Sequence, residues 1–417
     1  MLESAVPRTA FRPRTLSTTL LKAAKQFPAV VVTGPRQSGK TTLMQRLFGP
    51  SHGFCSLDDP AVVEQARSDP RLLLERFPPP VILDEIQYAP ELLHYVKLDI
   101  DRNPRRSGAY VITGSQAFPL MQRVSESLAG RTAVLSLQSL SIAEVERRPG
   151  GDKDWTAALW PPRSATTTAP PSPTAASRWI FRGGYPVPAL RRGIDVRLWQ
   201  AGYLQTYLER DVRTLRAVGD LGEFQKFLFL VAARTGALVN VSELARDVAV
   251  STKTVSAWLS VLEASGQVVT LRPYHANLSK RLVKRPKIFF ADTGLLSYLL
   301  GLRRPSEALE GLAAGALFEA AVFGQLLRLL LHRGEPPRIH FWRTAAGHEV
   351  DFVIERGMNL VPIEAKLTAT PAPRHAAGIE ELQRLLGKKV GRGLLVCLCR
   401  ERFPLTRTVD AVPFGSF

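Results

Sequence analysis

The residues best suited to chemistry lie in a glycine-rich loop, GPRQSGKT, between Gly34 and Thr41. This Gly-x4-Gly-Lys-Thr pattern follows the apolar run 29–33 and precedes a helix-like segment, the context that a phosphate-binding loop requires. Glycines let backbone N–H groups turn inward around phosphate oxygens, and the first turn of the helix adds unpaired donors. A chance glycine turn is the alternative, but the flanking strand and helix patterns favour a nucleoside triphosphate site.

Two residues of the loop have specific tasks in this interpretation. Lys40 reaches the β- and γ-phosphates, and the Thr41 hydroxyl ligates Mg²⁺. ATP and Mg²⁺ are therefore the expected cofactors. The residues expected to contact the nucleotide are Gly34, Pro35, Arg36, Gln37, Ser38, Gly39, Lys40, Thr41 and Thr42.

Two adjacent carboxylates, Asp84 and Glu85, end the apolar run VILDE. In a parallel sheet this strand end and the glycine-rich loop lie side by side at the carboxyl edge, where ligands collect. Asp84 is then expected to hold the Mg²⁺, and Glu85 to polarise the water that attacks the γ-phosphate. Two acids that merely cap a strand are the weaker alternative.

Two further candidates follow the same part of the chain. Ser115 comes after the apolar run 109–113, where a small polar side chain senses the γ-phosphate or positions the attacking water. A plain turn explains Ser115 almost as well. Arg131, in the stretch SLAGR, is a candidate to stabilise transition-state charge in a neighbouring subunit, with a solvated or structural arginine as the alternative.

A second group of candidates lies towards the C-terminus. Alternation places Glu349 and Asp351 on one face of a strand. The next strand puts Glu364 and Lys366 on one face, and an upstream apolar helix adds Glu319. Paired in a hairpin, these carboxylates are expected to bind Mg²⁺ and activate water against a phosphodiester, while Lys366 stabilises the developing charge. An exposed hairpin face with cross-strand salt bridges is the alternative.

Residues 221–292 have the pattern of a winged helix-turn-helix, with two short helices, a tight connection and a hairpin of two strands. The candidate recognition helix, 252–264, offers Lys253 but no arginine, which predicts weak or sequence-independent DNA binding. The hairpin is basic and is expected to contact phosphates. Its basic residues are Arg272, Lys280, Arg281, Lys284, Arg285 and Lys287. A winged helix used for protein contacts is the alternative.

Around these candidates the chain divides into five stretches. We expect an α/β core with a parallel sheet, a flexible stretch rich in Pro, Ala, Ser and Thr, a helical lid, the winged helix and an α/β C-terminal domain. A helix is expected just before the first strand. The expected bounds of the five stretches are 14–148, 149–177, 178–220, 221–292 and 311–417.

Composition limits the class of protein. The 417 residues suggest two or three domains, since a domain has about 150 residues. A formal net charge of +18 favours contact with polyanions such as nucleic acid. The three cysteines are too few and too scattered for a disulfide framework. Neither a membrane helix nor a signal peptide is predicted, so a cytoplasmic enzyme is expected.

Taken together, these stretches resemble the prokaryotic AAA-type ATPases that join a phosphate-loop core to a C-terminal domain of uncharacterised function. The resemblance covers residues 14–366 apart from the stretch 149–177. The matching stretches are GPRQSGKTTL, VILDEIQ, YVITGSQ, SLAGR, FRGGYP, YLERDV, KIFFADTGL, LFEAAV, FWRTAAGHEVDFVIE and IEAK.

This resemblance implies an additional-strand ATPase core, a winged helix and a tail similar to restriction-endonuclease-like PD-(D/E)xK domains. On that match Asp351, Glu364 and Lys366 take the metal and catalytic positions, and Glu319 is the helical acid. Ser115 departs from the sensor asparagine that is usual in AAA-type ATPases.

The sequence thus predicts a Mg²⁺-dependent ATPase that acts on DNA, with a nuclease-like tail. A regulatory nucleotide switch that controls protein partners, without nucleic-acid chemistry, is the alternative. No membrane partner is predicted, and assembly with copies of the same chain is left open.

Overall fold

A five-stranded parallel sheet carries the glycine-rich loop. The computed structural model describes residues 11–115, 127–148, 155–160, 172–208, 220–275 and 285–416. The strands of the first sheet are β1 (Ala29–Thr33), β2 (Gly53–Ser56), β3 (Val81–Asp84), β4 (Tyr110–Gly114) and β5 (Thr132–Ser136). Their order is β2-β3-β4-β1-β5, and every pairing is parallel. The expected α/β core with a parallel sheet is confirmed, with β4 inserted between β1 and β3.

Helices cover both faces of this sheet. They are α1 (Leu16–Gln26), α2 (Lys40–Phe48), α3 (Pro60–Ser68), α4 (Pro70–Arg76) and α5 (Leu92–Arg102). Because successive side chains of a strand point to opposite faces, β1 serves two cores. Val30 and Val32 pack in the core that α1 and α2 complete, whereas Ala29 and Val31 pack in the core that α5 completes. The helix expected before β1 is thereby confirmed as α1.

Short helices follow the first sheet. They are α6 (Ile142–Val145), α7 (Trp155–Leu159), α8 (Pro173–Arg182), α9 (Pro186–Leu190) and α10 (Val196–Tyr207). The expectation of a flexible stretch over 149–177 is wrong for residues 155–160 and 172–177, because α7 and the first part of α8 lie there. Trp155 and Leu159 are one helical turn apart and both are buried in the core, which outweighs the polar composition around them. The rest of that stretch, 149–154 and 161–171, lies outside the described residues.

Three helices and a two-stranded antiparallel sheet form the next unit. They are α11 (Leu221–Ala233), α12 (Val241–Val248), α13 (Thr252–Ala264), β6 (Val268–Leu271) and β7 (Lys287–Phe290). Side chains cap each helix: Asp220 accepts from Glu223, Asn240 from Glu243, and Ser251 from Thr254. These caps satisfy backbone donors that a helix start leaves unpaired. They explain why the helices begin where they do.

A six-stranded mixed sheet forms the C-terminal unit. Its strands are β8 (Ile339–Arg343), β9 (Glu349–Arg356), β10 (Asn359–Ala365), β11 (Gly393–Cys397), β12 (Phe403–Pro404) and β13 (Val409–Pro413). The order is β12-β13-β11-β10-β9-β8. The helices of this part are α14 (Thr293–Leu299), α15 (Ala314–Leu331) and α16 (Ala377–Leu386). On β9, Phe352 contacts Phe323 of α15, while Val353 shares a core with Ile379 of α16, so helices flank both faces.

The helix α15 is long and apolar enough to cross a membrane by length and composition only, although Glu319 and Arg328 interrupt its apolar run. However, 78% of its apolar window is buried inside the protein. A core helix that is apolar all round is buried on all sides. The composition of α15 is therefore explained by the core that it fills.

The three-helix unit and the C-terminal unit share backbone and core contacts. Beyond β6, the N–H of Tyr274 donates to the carbonyl of Phe341 at 2.6 Å, and the N–H of Phe341 donates to Arg272 at 3.2 Å. The ring of Phe289 on β7 stacks 4.7 Å from that of Phe323 on α15. The hairpin strand β6 therefore continues onto the edge of the C-terminal sheet at β8.

Candidate functional site

The glycine-rich loop closes around the side chain of Lys40. Gly34 has a φ of +144°, and a Cβ on it would lie 2.1 Å from the carbonyl oxygen of Leu137. Gly39, with a φ of +96°, leads into α2. The Lys40 ammonium donates to the carbonyls of Gly34 at 3.0 Å and Pro35 at 3.1 Å, and the side chain is buried. The loop thus encloses a buried cation, as an anion site requires.

The remaining loop residues surround this cation. Arg36 donates to the hydroxyl of Tyr88 at 3.1 Å, Gln37 has a left-handed φ of 58°, and Thr42 lies in the first turn of α2. The hydroxyl of Ser38 is buried and has no hydrogen-bond partner within the described part of the chain. Because buried polar groups are normally hydrogen-bonded, an unpaired hydroxyl here fits an absent ligand oxygen. The loop therefore fits a nucleotide phosphate.

The side chains expected to hold Mg²⁺ lie against each other. The Thr41 hydroxyl donates to the two carboxylate oxygens of Asp84 at 3.0 and 2.9 Å. Thr113, on β4, donates to Asp84 at 2.5 Å. Burial raises the pKa of Asp84, and the hydrogen bonds from Thr113 and Thr41 oppose that rise. This set of hydroxyl and carboxylate oxygens is the donor chemistry that Mg²⁺ prefers, so it fits the ion.

Glu85 follows β3 in a left-handed backbone conformation, with a φ of 57°. Its N–H donates to the hydroxyl of Thr113 at 3.1 Å. Its carboxylate accepts from the hydroxyl of Ser115 at 3.0 Å and from the amide of Gln87, which also donates to Ser115. Ser115 therefore contacts the carboxylate expected to polarise water. Gln87 was not singled out in the sequence, although it lies in the matched stretch VILDEIQ.

Arg131 lies at the amino edge of the first sheet, whereas the glycine-rich loop lies at the carboxyl edge. It directly precedes β5, whose first residue pairs with Ala29, the residue at which β1 begins. Its guanidinium donates to Asp101 at 2.6 Å and to the carbonyl of Ala129 at 3.1 Å. The structure therefore does not bring Arg131 to the loop of its own chain. Its role in a neighbouring subunit stays a prediction.

Arg14 forms a hydrogen bond with the glycine-rich loop. It was not identified as a candidate from the sequence. It is buried, and its guanidinium donates to the carbonyls of Ser38 at 2.8 Å and Gln138 at 2.6 Å. Its Nε lies 3.1 Å from the carboxylate of Glu144. The loop is thus tied to the segment after β5 through one buried guanidinium.

Glu144 links this guanidinium to the C-terminal unit. Its carboxylate accepts from the N–H groups of Thr15 at 2.8 Å and Ser141 at 3.0 Å. It lies 3.2 Å from Nδ1 of His332, the residue that directly follows α15. Burial alone would raise the pKa of Glu144, but His332 and Arg14 more than offset this and hold it well below its usual range. The only sequence signal was the Ser141-x-x-Glu144 capping pattern.

Arg328, also on α15, forms a second buried junction. It donates to the carbonyls of Ser139 at 3.1 Å and Ala291 at 3.0 Å, and to the carboxylate of Asp292 at 3.1 Å. The same carboxylate accepts from the N–H of Gly184 at 2.8 Å. Gly184 and Asp292 come from the stretches FRGGYP and KIFFADTGL. Those stretches therefore join the first sheet to α15.

The structure brings together the candidates of the C-terminal hairpin. Asp351 accepts from the N–H of Ala365 at 2.9 Å, and its own N–H donates to Glu364 at 3.3 Å. The Lys366 ammonium lies 2.8 Å from the other carboxylate oxygen of Glu364. Asp351 and Glu364 are both buried. The carboxylates are therefore satisfied by neighbouring backbone donors and by a lysine.

A lysine from the three-helix unit completes this carboxylate cluster, which comprises Glu319, Glu349, Asp351 and Glu364. Lys287 was expected in the exposed basic hairpin, and that expectation is wrong. Its side chain is buried, and its ammonium lies 3.1 Å from Glu319 and 2.7 Å from Glu349. The reason is that β7 packs against α15, so its first side chain points into the C-terminal unit.

Burial dominates the electrostatics of the carboxylate cluster. Burial, helped by the charge of Asp351, raises the pKa of Glu364 to about 8 and that of Glu319 to about 7. Within the described ranges no group of three acidic, histidine or cysteine side chains is arranged to hold a metal ion. The expected metal ligands Glu319, Asp351 and Glu364 therefore lie in one cluster but are not arranged to hold a metal ion. In this arrangement the cluster does not fit a divalent ion.

Part of the expected nucleic-acid interface lies outside the described residues, namely Lys280, Arg281 and Lys284. Of the others, Lys253 on α13 and Arg285 before β7 are exposed. On α13, Val255 and Trp258 are buried, which leaves Lys253 on the opposite, solvent-facing side. Together with Arg272, the exposed arginine that follows β6, these cations are accessible to a partner.

The chain is similar to known proteins along most of its length. The AAA domain family matches residues 26–146, and two families of domains of unknown function, DUF8612 and DUF4143, match residues 174–306 and 314–417. Two relatives are Uncharacterized protein Rv2008c of Mycobacterium tuberculosis and Uncharacterized protein Mb2031c of Mycobacterium bovis. Each is 32% identical over 396 residues, which cover 94% of this chain and 82% of the relative.

Solved structures are similar to this chain at low identity. The Walker-type ATPase PABY2304 of Pyrococcus abyssi is 15% identical with a TM-score of 0.45, covering 70% of this chain and 99% of that one. The RuvB Holliday junction branch migration motor of Thermotoga maritima is 20% identical with a TM-score of 0.30, covering 61% and 86%. With such low scores, neither likeness says anything about activity.

Proposed function

Because the chain belongs to the family of AAA-domain proteins that includes the two mycobacterial relatives, we propose that it is a Mg²⁺-dependent ATPase that acts on DNA. The observation that carries the ATPase proposal is the geometry at the carboxyl edge of the first sheet. There the loop encloses the ammonium of Lys40, and the Thr41–Asp84 pair lies beside it. Glu85 follows directly on the same strand.

Each residue of this edge has a distinct task. The N–H groups of the loop bind the phosphates, and Lys40 neutralises charge on the β- and γ-phosphates. Thr41 and Asp84 would hold Mg²⁺, which when bound would supply positive charge to offset that of the phosphates. Glu85 accepts a proton from the attacking water, and Ser115 orients its carboxylate.

The DNA part of the proposal concerns the three-helix unit. Three capped helices followed by an antiparallel hairpin support a winged helix, with α13 as the recognition helix. Lys253 and Arg285 are exposed there, and the chain carries a formal net charge of +18. Such cations favour contact with phosphates irrespective of base sequence.

We extend the proposal to the fold of the C-terminal unit, which we take to be restriction-endonuclease-like. The mixed sheet flanked by α15 and α16 supports this, with Asp351 on one strand and Glu364 and Lys366 at the end of its neighbour. We attach no cleavage step to this unit, because its carboxylates are not arranged to hold a metal ion and two lysines already contact them.

Removal of the Lys40 ammonium tests the ATPase proposal. We expect Lys40→Ala to lower ATP turnover on the order of 100-fold or more, because the charge on the phosphates loses its buried counter-ion. Turnover is measured by phosphate release with Mg²⁺ and again with excess EDTA, which should abolish it in the wild type. Lys22→Ala, which removes an exposed lysine of α1, is the matched control and should turn over ATP normally. Wild-type turnover by Lys40→Ala would refute the assignment.

A further inference from the structure

Lys287 is a buried cation that one unit supplies to the carboxylates of another. It is the first residue of β7 in the three-helix unit, and its side chain is 8% exposed. Its ammonium lies 3.1 Å from Glu319 of α15 and 2.7 Å from Glu349 of β9. The face of the Phe341 ring, 5.6 Å away, adds a further contact with the cation.

The backbone around Lys287 is fixed on both sides. Lys287 pairs with Leu271 of β6 and forms a bridge with Leu238. Two residues further along β7, Phe289 packs between Phe323 and Phe352 of the C-terminal unit, at ring distances of 4.7 and 5.7 Å. The ammonium therefore cannot leave the carboxylates unless β7 shifts or the long side chain withdraws.

Lysines offset half of the formal negative charge of the cluster without a metal. Two ammonium groups, Lys287 and Lys366, face the four carboxylates of the cluster. An ammonium in contact with Glu319 and Glu349 supplies the positive charge that buried carboxylates require.

We propose that Lys287 is the built-in counter-ion of the carboxylate cluster. Its ion pairs join the three-helix unit to the C-terminal unit, and its ammonium excludes a divalent metal from the cluster. The cluster then accepts a metal ion only when this lysine is removed or withdrawn. This inference rests on the proposed function in one respect, namely that the C-terminal unit is a candidate metal-binding fold. It does not depend on ATP hydrolysis.

Binding of Mn²⁺ alone, without nucleotide, tests whether Lys287 excludes a metal from the carboxylate cluster. Free Mn²⁺ is measured by its electron paramagnetic resonance signal during titration of full-length protein. We expect no stoichiometric site that depends on Asp351 in the wild type. Lys287→Met, which keeps the length of the side chain without its charge, should gain one such site per chain. Lys287→Arg keeps the charge and should gain none.

The control for location is Lys287→Met combined with Asp351→Asn, which should lose the new site. The inference is overturned if the wild type binds Mn²⁺ in a site that Asp351→Asn removes, or if folded Lys287→Met gains no site. Should Lys287→Met fail to fold, the comparison of wild type with Asp351→Asn can still overturn the inference, because an Asp351-dependent site in the wild type would show that the lysine does not exclude the metal. Because the Mn²⁺ titration contains no nucleotide, its outcome does not depend on ATP hydrolysis. Failure of this inference is therefore distinguishable from failure of the ATPase proposal.

Discussion

Glu85 combines a strained backbone with a carboxylate oxygen that accepts two hydrogen bonds. Its φ of 57° is in the left-handed region, which costs a residue other than glycine about 1–3 kcal/mol. Thr113 bridges the two acids, because its hydroxyl accepts from the N–H of Glu85 and donates to Asp84. Ser115 and Gln87 then hold the carboxylate. Such an arrangement fixes the direction in which Glu85 presents its oxygens.

The substitution Glu85→Gln tests the role of this carboxylate as a proton acceptor. An amide of the same shape cannot take a proton, so we expect kcat to fall about 10²- to 10⁴-fold while ATP binding is retained. Phosphate release and equilibrium binding of ATP measure the two quantities. The companion variant Ser115→Ala should lower kcat by less and leave KM nearly unchanged, because Ser115 orients Glu85. A large rise of KM in Ser115→Ala would instead favour direct contact with phosphate, and normal turnover by Glu85→Gln would reject the proton-acceptor role.

The sequence predicted the types of residue at this edge better than their directions. The glycine-rich loop and the two acids follow local patterns, and the structure brings Thr41 against Asp84. The contact of Ser115 with Glu85 was not predictable, because it depends on how the ends of two separate strands meet. The same holds for Arg14, whose partners Gln138 and Glu144 lie far along the chain.

At the scale of elements, α15 connects the two candidate sites. Its 18 residues span about 27 Å at 1.5 Å per residue. Glu319 near its start lies in the carboxylate cluster, Arg328 contacts Asp292, and His332, which directly follows the helix, contacts Glu144. One helix is thus linked both to the buried network of Arg14 and Glu144 and to the carboxylate cluster of the C-terminal hairpin.

Stability measurements on Arg14 test whether this network holds the elements together. Arg14 and Glu144 are almost fully buried, at 4% and 2% side-chain exposure. We expect Arg14→Met to destabilise the protein by about 3–5 kcal/mol in urea unfolding, because it leaves a buried carboxylate uncompensated. Arg131→Met is the matched control, since its pair with Asp101 is exposed, and should cost about 0–1 kcal/mol.

A second substitution separates lost charge pairing from lost packing. In Arg14→Met combined with Glu144→Gln, the orphaned charge is gone, so part of the stability should return. Equal losses in Arg14→Met and Arg131→Met would contradict a structural role for the buried network.

Helices with a regular apolar face could be predicted from the sequence. Short helices with only one or two buried apolar side chains could not. The start of α13 at Ser251 and its buried Val255 and Trp258 follow from a capping residue and helical spacing. The helix α7 was not predicted, because the composition of the whole stretch 149–177, rich in Pro, Ala, Ser and Thr, outweighs its few apolar residues. Its anchor, Trp155, makes the segment ordered through contacts with residues far away in the sequence.

At the scale of the whole molecule, one hydrophobic core runs from Ile142 to Phe414. It joins the short helices, the three-helix unit and the C-terminal unit, which the sequence treats as successive domains. Local patterns identified each unit, but not the continuation of β6 onto β8 or the burial of Lys287. Those contacts join residues about 70 positions apart or on different units, and one sequence carries no signal for them.

The salt dependence of DNA binding tests the proposed interface on this assembled surface. We expect double-stranded DNA to bind at low salt and to weaken steeply as salt rises, because phosphate contacts release counterions. Lys253→Ala should lower the slope of log affinity against log salt by about 1, with little dependence on DNA sequence. Fluorescence anisotropy over a series of salt concentrations measures that slope.

Loss of charge alone would also weaken DNA binding, so the comparison needs a lysine elsewhere. Lys388→Ala removes an exposed lysine of the C-terminal unit and changes the net charge equally. If α13 faces the DNA, Lys253→Ala must lower the slope more than Lys388→Ala does. Equal slopes would mean that DNA senses only the overall charge, and no binding at low salt would favour the nucleotide switch that acts on protein partners. The location of the lysine, rather than the net charge, therefore decides whether this unit is an interface.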